Sequence, residues 1–395
     1  MNISGIHDCY GCGVCAVVCP HNIIQIKLNK DGFYEPSISN ITKCVNCGLC
    51  ADTCAYLHEN LSLKKDFTYS YGAWSKNPSI RKMCSSGGVG FEIGSYLISQ
   101  GYKVCGVKYN PKKNIAEHYI ANTIEELIPS IGSKYIQSYT VNGFKEINKK
   151  EKYLVIGTPC QIDSFRRYIR KFKKEDNFVL MDFFCHGVPS MLLWNKYIKW
   201  AEKKIGKIKS VSWRNKQNGW HDSWVMSLYS EKVSPQATNL KENNVYINSK
   251  RSQGDMFYNI FLSDICLGRA CYKKCKYKYN KSCADIRLGD AWGKCYINDD
   301  NGVSTAIAFT SKGYDVIHKC NCVLEEQSFE TIAEGQMIKM PQYNILCKIF
   351  FILIKFNNIS ISKLNKVINI HKSCKYYYSL LKNPIKLVNK IKNKI

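Results

Sequence analysis

Eight cysteines near the start of the chain stand in two runs of identical spacing, C-x2-C-x2-C-x3-C. The runs are Cys9, Cys12, Cys15 and Cys19, followed by Cys44, Cys47, Cys50 and Cys54. In this pattern three cysteines bind one [4Fe–4S] cube and the fourth binds its neighbour. A zinc ribbon needs only four cysteines in two C-x2-C pairs, so the doubled run favours iron–sulfur chemistry. We predict two clusters for one-electron transfer, one held by Cys9, Cys12, Cys15 and Cys54 and the other by Cys44, Cys47, Cys50 and Cys19.

Two further cysteines follow apolar segments of strand type. Cys160 comes just after the strand predicted at Tyr153–Gly157, and Cys185 comes just after the one predicted at Phe178–Phe184. Helical segments alternate with these strands, which indicates a parallel α/β layer. Open α/β sheets bind ligands beyond the carboxyl ends of their strands, where both cysteines would lie.

A glycine-rich turn precedes the helical pattern of Phe91–Ser99. The turn consists of Ser85, Ser86, Gly87 and Gly88. Free backbone N–H groups at such a helix start can bind an anion. The turn could equally be a plain helix start with two serine caps, and the sequence leaves both interpretations open.

The composition indicates a globular protein. Its 395 residues, 45% of them hydrophobic, suffice for two or three domains. No basic segment followed by an apolar run opens the chain, which predicts a cytoplasmic protein with reduced thiols. The formal charge of +26 counts cysteines as neutral, and each four-thiolate cube would remove about two charges. No nucleic-acid-binding module is recognisable, so we expect no nucleic acid partner and an acidic partner, anionic cofactor or membrane surface instead.

Five motifs occur in an order typical of one family. They are Ser85–Gly88, Gly157–Gln161, Cys185–Ser190, the segment with Arg269, Cys271 and Cys275, and Asp285–Gly293. Together they resemble the coenzyme F420 hydrogenase/dehydrogenase beta-subunit family, here fused to a two-cluster ferredoxin. The resemblance covers residues 1–315 and leaves the C-terminal tail outside it.

The resemblance implies FAD bound beside a third [4Fe–4S] cluster. The ligands that it implies for this cluster are Cys160, Cys185, Cys271 and Cys275. Alternative sets exchange Cys266 or Cys283 for one of these. The other interpretation is that Cys160 and Cys185 are ordinary buried thiols, since cysteine is among the most buried residue types.

Further roles follow from the same resemblance. Backbone N–H groups of Ser85, Ser86, Gly87 and Gly88 would hold the FAD pyrophosphate. The isoalloxazine ring would receive hydrogen bonds from Thr158 and Gln161 and would be lined by Asp290 and Trp292. His186 would donate a proton to a substrate that accepts electrons, since imidazole titrates near neutral pH. For Asp290, Trp292 and His186, the alternatives are a cap, a core aromatic and a histidine bonded to a backbone carbonyl.

The predicted fold is of the α+β and α/β type, a small two-cluster ferredoxin fold followed by a mixed α/β flavin- and cluster-binding domain. The predicted units are a ferredoxin domain at 1–60 with short strands at Ile23–Lys27 and Tyr34–Pro36, a linker at 61–80, the beta-subunit-like domain at 81–334, and a basic, partly amphipathic helical tail at 335–395.

The tail allows two interpretations. It contains twelve lysines and no Asp or Glu, and Ile345–Phe356 is nearly all apolar but too short to span a bilayer. Apolar residues also recur at helical spacing at Ile385, Val388, Ile391 and Ile395. Basic amphipathic segments often lie on anionic membranes, which would place the protein at the inner membrane surface. The alternative is a helix that packs on the body with a solvated basic face.

These features predict an iron–sulfur flavoprotein oxidoreductase. Electrons would pass between a redox partner (ferredoxin, F420 or a nicotinamide), the clusters, FAD and an organic substrate. The resemblance extends to bacterial members found in surface-polysaccharide gene sets, so a small-molecule or glycan-related substrate is expected. The alternative is a non-catalytic electron-relay subunit of a larger redox complex, although a relay alone would need only residues 1–60.

Overall fold

The computed structural model describes residues 2–59, 61, 68–230 and 246–381. The N-terminal unit consists of α1 (Val14–Val18), β1 (Ile24–Leu28), β2 (Tyr34–Ile38) and α2 (Leu49–Asp52). Strands β1 and β2 pair antiparallel, as their sequences predict. Gly13 and Gly48 adopt φ angles of 75° and 78° immediately before the two helices, a backbone conformation that glycine adopts without steric cost.

A larger α/β body follows. In chain order its elements are β3 (Tyr69–Ser75), α3 (Pro78–Met83), α4 (Val89–Ser99), β4 (Lys103–Asn110), β5 (Ile115–Ala121), α5 (Ile124–Leu127), β6 (Ser138–Tyr139), α6 (Val141–Glu146), β7 (Tyr153–Ile156), α7 (Pro159–Lys171), β8 (Phe178–Phe183), α8 (Met191–Ile205), β9 (Ile208–Ser212), β10 (Val225–Ser230), β11 (Tyr246–Lys250), α9 (Met256–Phe261), α10 (Arg269–Lys273), β12 (Ile286–Asp290), β13 (Ser304–Ala308), α11 (Ser311–Lys319), β14 (Cys322–Glu326), α12 (Phe329–Ile332), α13 (Ile345–Leu353) and α14 (Ile361–Leu381).

The main sheet of the body is mixed, as predicted for the fold class. Its strand order is β14-β3-β13-β12-β8-β7-β4-β5-β6. Strands β4, β7, β8 and β12 run parallel at its centre, and antiparallel strands flank them. Because β7, β8 and β12 are parallel, their carboxyl ends meet at one edge of the sheet. The loops that follow these three strands carry the candidate site.

The segment 61–80 is not a linker throughout, which corrects the predicted domain division. Strand β3 lies inside the main sheet and pairs with β13 on one side and β14 on the other. Its residues are buried on both faces of the sheet, so the expected alternation of polar and apolar residues is absent. A strand of this kind, rich in Ser, Gly and Tyr, is easily mistaken for a polar connection.

Helix α7 begins at Pro159, two residues after the end of the strand predicted at Tyr153–Gly157. Proline is favoured at the first helical position because its fixed φ suits a helix and its missing N–H has no intrahelical role there. Cys160 therefore lies in the first turn of a helix and not in a loop. Helix α8 is capped at its start by the Ser190 side chain, which accepts a hydrogen bond from Leu192 N–H, and Gly206 follows its last residue.

The C-terminal helices are part of the body. Helices α13 and α14 each bury one face in the part of the hydrophobic core that contains Trp194, Phe257 and Phe261. The boundary predicted at residue 335 is therefore not a boundary between separate cores. Residues 385, 388, 391 and 395, predicted to form an amphipathic segment, lie outside the described residues. Within the described ranges, no helix combines the length and hydropathy that crossing a membrane requires.

Candidate functional site

The eight N-terminal cysteines surround two small cavities. Cys9, Cys12, Cys15 and Cys54 line one, here called the inner cavity, and Cys19, Cys44, Cys47 and Cys50 line the other, the outer cavity. The fourth cysteine of each run thus crosses to the partner cavity, because α1 and α2 pack against each other. Four thiols around one cavity are the donor set of a [4Fe–4S] cluster. Among the described residues, no three His, Cys, Asp or Glu side chains converge on a single metal ion.

A third cavity, here called the bridging cavity, brings the predicted cysteines of the body together. Cys160, Cys185, Cys271 and Cys275 all line it, together with Cys9 of the inner cavity. Burial raises the pKa of Cys160 and Cys185, and it raises that of Cys271 to about 12. Buried thiols this close to one another lose their protons only when a cation compensates the charge, which suits a metal cluster.

Separate elements position these four cysteines. Cys160 is in the first turn of α7, after β7, and Cys185 follows β8 at the same edge of the sheet. Residues 271 and 275 belong to α10 and the turn after it, and the Gly268 N–H before this helix donates to Val188 O at 3.0 Å. Lys278 Nζ donates to Cys185 O at 2.7 Å. The loop after β8 and the α10 segment are thereby held over the strand ends.

The two alternative ligands lie elsewhere. Cys266 does not line the bridging cavity; it is buried in the core beside Cys347, and its carbonyl accepts the Ser190 N–H. Cys283 is also absent from the cavity wall, and its carbonyl accepts a hydrogen bond from Arg166 Nε at 2.5 Å. The geometry favours the first predicted set over both alternatives.

A large cavity of about 870 Å³ opens beside the bridging cavity. Among the residues predicted to contact FAD or substrate, its wall includes Ser85, Ser86, Gly88, Thr158, Gln161, His186, Asp290 and Trp292. Ligand pockets for cofactors measure roughly 300–1,000 Å³, so the volume suits a dinucleotide-sized group. The sequence-predicted residues therefore converge on one site, with one exception.

Gly87 is the exception, and its predicted role is wrong. Its N–H donates to Ser304 Oγ at 3.0 Å and its carbonyl accepts from Ser75 N–H, so this N–H does not face an anion in the large cavity. A Cβ at this position would lie 2.3 Å from Ala73 O. The glycine is thus explained by the close packing of the turn against β3.

The two serines of this turn also have structural partners. Ser85 Oγ accepts a hydrogen bond from Ser133 N–H at 3.0 Å, and Ser86 Oγ donates to Val303 O at 2.8 Å. Their hydroxyls tie three loops together at the cavity wall. Gly88, with a φ of 88°, starts α4, whose first-turn N–H groups give this wall a positive electrostatic character.

Thr158 and Gln161 form the N-terminal cap of α7. Gln161 Oε1 accepts from Thr158 N–H at 2.9 Å, and Gln161 Nε2 donates to Ser138 Oγ at 3.1 Å. Thr158 Oγ1 lies 3.2 Å from Cys160 Sγ. These contacts make the pair a support for the bridging cavity, in addition to the predicted place on the wall of the large cavity.

Asp290 and Trp292 both contact the buried guanidinium of Arg214. Asp290 Oδ2 pairs with Arg214 Nη1 at 2.6 Å, and the Arg214 guanidinium lies 4.9 Å from the Trp292 ring centroid. Trp292 stacks on Trp220 with centroids 4.8 Å apart. Asp290 Oδ1 is buried without a hydrogen-bond partner in the protein. A bound group with a donor would satisfy that oxygen.

His186 faces the large cavity and contacts a carboxylate that the sequence did not reveal. Its Nε2 lies 2.6 Å from Asp264 Oδ1, and its ring packs edge-on against Phe261. Asp264 adopts a φ of 59°, the left-handed conformation that Asp tolerates better than most residues. An isolated Asp 78 positions away carries no recognisable motif, so only the fold could identify the pair.

Two half-buried lysines were also missed, Lys134 in the wall of the large cavity and Lys216 next to that wall. Lys134 Nζ donates to the four consecutive carbonyls of residues 129–132, and burial lowers its pKa to about 7. Lys216 Nζ donates to the carbonyls of Arg81, Ser86 and Asn301, and burial lowers its pKa to about 8. Nothing in the sequence distinguishes them among 57 Lys and Arg residues.

Three cysteine-lined cavities at the edge of a mixed α/β sheet define the class, an iron–sulfur redox protein. Residues 150–332 match the family model for the C terminus of the coenzyme F420 hydrogenase/dehydrogenase beta subunit. Residues 8–57 match the 4Fe-4S dicluster domain. These matches confirm the resemblance drawn from the motifs, and the chain is an iron–sulfur redox protein related to the coenzyme F420 hydrogenase beta subunit, with an N-terminal dicluster domain.

Individual relatives are distant. The chain is 22% identical over 241 residues to the coenzyme F420 hydrogenase subunit beta of Methanococcus voltae, covering 56% of this chain and 78% of that protein. It is also similar to a chain in a structure of the F420-reducing [NiFe] hydrogenase complex from Methanosarcina barkeri. That match has 16% identity and a TM-score of 0.45, and covers 81% of this chain and 94% of the other.

Proposed function

We propose that this chain is an iron–sulfur flavoprotein oxidoreductase that passes electrons between a one-electron partner and an organic substrate. The supporting observation is that the inner, bridging and large cavities adjoin in series. Cys9 and Tyr10 line both the inner and the bridging cavity, while Thr158, Gln161 and Cys185 line both the bridging and the large cavity. Electron carriers in these cavities would be neighbours along one path.

The donor sets determine which group belongs in each cavity. The outer and inner cavities are each lined by four cysteines, and the bridging cavity by four cysteines of the body. This suits three [4Fe–4S] clusters. The large cavity offers a helix start and the ring of Trp292, which suit the phosphates and ring of FAD. A flavin supplies the chemistry that converts single electrons into a two-electron transfer to an organic substrate.

Proton transfer at this site is assigned to His186. Its contact with Asp264 engages Nε2, so a proton exchanged with a bound substrate would pass through Nδ1. Asp264 thereby holds the ring in one orientation. General acid catalysis of this kind contributes typically 10²–10⁴-fold to a rate.

The outer cavity is the proposed contact for the redox partner. Cys47 is exposed there, and Ile41 and Val45 beside it are 56% and 62% exposed. Ferredoxin, as a one-electron carrier, would dock here, whereas F420 or a nicotinamide would exchange hydride at the flavin. Val45→Lys should slow reduction by a reduced ferredoxin and leave reduction by dithionite unchanged.

A small-molecule or glycan-related substrate stays a prediction.

The decisive experiment is anaerobic purification followed by iron and flavin assays. About twelve iron atoms with FAD would support the oxidoreductase, whereas about eight iron atoms without flavin would favour the alternative, a non-catalytic electron-relay subunit. Cys160→Ser should lose about four iron atoms. Cys266→Ser, at a buried cysteine outside all of these cavities, is the matched control and should retain them. Equal iron contents in the two variants would contradict the ligand assignment.

We also propose that α13 rests on an anionic membrane surface. Ile345, Ile349 and Ile352 lie on one side of this helix and are 42–67% exposed, while its opposite side packs into the core. Phe356, just beyond the end of the helix, is 52% exposed. The segment 335–395 has twelve lysines and no acidic residue, which suits anionic lipid headgroups. Truncation at 335 would remove core residues, so point substitutions are the appropriate test. Ile349→Ser with Ile352→Ser should reduce co-sedimentation with phosphatidylserine vesicles; unchanged binding would contradict the proposal.

A further inference from the structure

A buried serine of the α/β body touches a cysteine of the inner cavity. Ser164, in α7, is fully buried, and its Oγ lies 3.2 Å from Cys12 Sγ. The same Oγ accepts a hydrogen bond from Ala55 N–H at 3.1 Å, one residue beyond Cys54. A side chain of the body thus contacts the N-terminal unit beside two of the four cysteines of the inner cavity.

The hydrogen-bonding capacity of a hydroxyl fixes the direction of this contact. Ser164 Oγ has one proton to donate, and the Ala55 N–H already occupies one of its lone pairs. With iron bound, Cys12 would be a thiolate, which can accept a hydrogen bond but cannot donate one. The Ser164 hydroxyl therefore donates its proton to Cys12 Sγ. This hydrogen bond is charge-assisted and strengthens as the negative charge on the sulfur grows.

We propose that Ser164 raises the reduction potential of the cluster held in the inner cavity. Reduction adds one negative charge to the cluster, and a hydrogen bond to a ligand sulfur stabilises the reduced state more than the oxidised state. The inner cluster would then accept electrons more readily than it would with the ligand loops alone. The inference depends on the N-terminal dicluster domain and on this ligand set, and not on FAD or a substrate.

The test is a redox titration of the full-length, cluster-loaded protein, monitored by electron paramagnetic resonance without substrate. Ser164→Ala should move one cluster potential to a more negative value and leave the others in place. At a fixed solution potential, we expect the ratio of reduced to oxidised inner cluster to fall about tenfold, which is equivalent to a shift of about 59 mV for one electron. Thr158→Val is the matched control, because its hydroxyl contacts Cys160 of the bridging cavity. It should leave both N-terminal potentials unchanged.

Ser164→Ala also removes the acceptor for Ala55 N–H, so a second measurement separates the donor role from loop support. Electron–nuclear double resonance of the reduced wild type in D2O should show an exchangeable deuteron coupling that Ser164→Ala lacks. Should Ser164→Ala lose iron, Ser164→Thr replaces it and should keep the wild-type potential and coupling. Unchanged potentials in an iron-replete Ser164→Ala protein would overturn the proposal, as would a shifted potential in an iron-replete Ser164→Thr protein.

Discussion

Asp182→Ala should strongly destabilise the protein, because it would leave a buried guanidinium without its counter-ion. Asp182 in β8 and Arg287 in β12 are both fully buried and form a bidentate pair, with Nε–Oδ1 and Nη2–Oδ2 distances of 2.8 and 2.7 Å. Ser282 Oγ donates to the same carboxylate at 2.7 Å. Removing one partner of a buried, hydrogen-bonded ion pair costs about 3–5 kcal/mol.

The effect should reach the candidate site. Arg287 Nη1 also donates to Tyr279 O at 2.7 Å and Nη2 to Lys281 O at 3.1 Å. These bonds hold the loop that carries Tyr277 and Lys278, which line the bridging and large cavities. We therefore expect the variant to retain less iron and flavin after purification, in addition to its lower stability.

A surface ion pair offers the matched control. Lys171 and Asp52 are 2.7 Å apart, but both side chains are 47% exposed, and pairs of this kind contribute about 0–1 kcal/mol. The assay is anaerobic urea unfolding of cofactor-loaded wild type, Asp182→Ala and Asp52→Ala, followed by tryptophan fluorescence. If Asp182→Ala unfolds within about 1 kcal/mol of Asp52→Ala, the assigned cost of the unpaired guanidinium is wrong. Replacing both partners, by Asp182→Leu with Arg287→Met, should recover much of the loss.

Three further substitutions test packing and titration. Gly87→Ala should cost about 1–3 kcal/mol and lower flavin retention, because its Cβ would lie 2.3 Å from Ala73 O; Gly5→Ala, with nothing within 4 Å, should be neutral in the same urea assay. Gly13→Ala should lose more iron than Gly101→Ala: both have positive φ, but only at residue 13 would the Cβ meet Thr140 Oγ1 at 2.2 Å. Burial lowers the pKa of His118 to about 4. Between about pH 6.5 and pH 4 the imidazole therefore binds a proton in the unfolded chain but not in the folded protein, so stability falls as the pH drops through this range. Between these pH values, the free energy of unfolding of His118→Gln should fall by up to about 3 kcal/mol less than that of wild type, as measured by urea titration. Equal decreases in the two proteins would contradict a buried neutral imidazole.

Local sequence patterns predicted the parts of the fold that depend on neighbouring residues. The cysteine runs bring three ligands together within one short loop, so their spacing alone indicated the inner and outer groups. Strands β7 and β8 are buried on both faces and appear as continuous apolar runs. The start of α7 at Pro159 has a sequence signal as well, since Thr158 and Gln161 have the spacing of a capping box around it.

Contacts between segments distant in the chain could not be predicted in this way. Strand β3 is stabilised by its place between β13 and β14, more than 200 residues away, and not by an apolar pattern of its own. Lys134 and Lys216 bind backbone carbonyls, which every residue type possesses. Asp264 reaches His186 only through the folded loop. Such partners leave no mark on the sequence of the segment that they contact.

The same principle explains how the N-terminal unit is fixed to the body. Thr140 Oγ1 donates to Cys12 O, Gln137 Nε2 to Gly32 O, and Ser190 Oγ to Asp31 O, at 2.8, 2.9 and 2.6 Å. In each case a side chain of the body donates to a main-chain carbonyl of the unit, one in the first cysteine loop and two in the turn between β1 and β2, so these contacts depend on backbone shape. Iron bound at Cys12 and its partners would hold the first cysteine loop in this shape. Loss of the inner cluster should therefore loosen the attachment of the unit and separate the inner from the bridging cavity, which couples electron transfer to cluster occupancy.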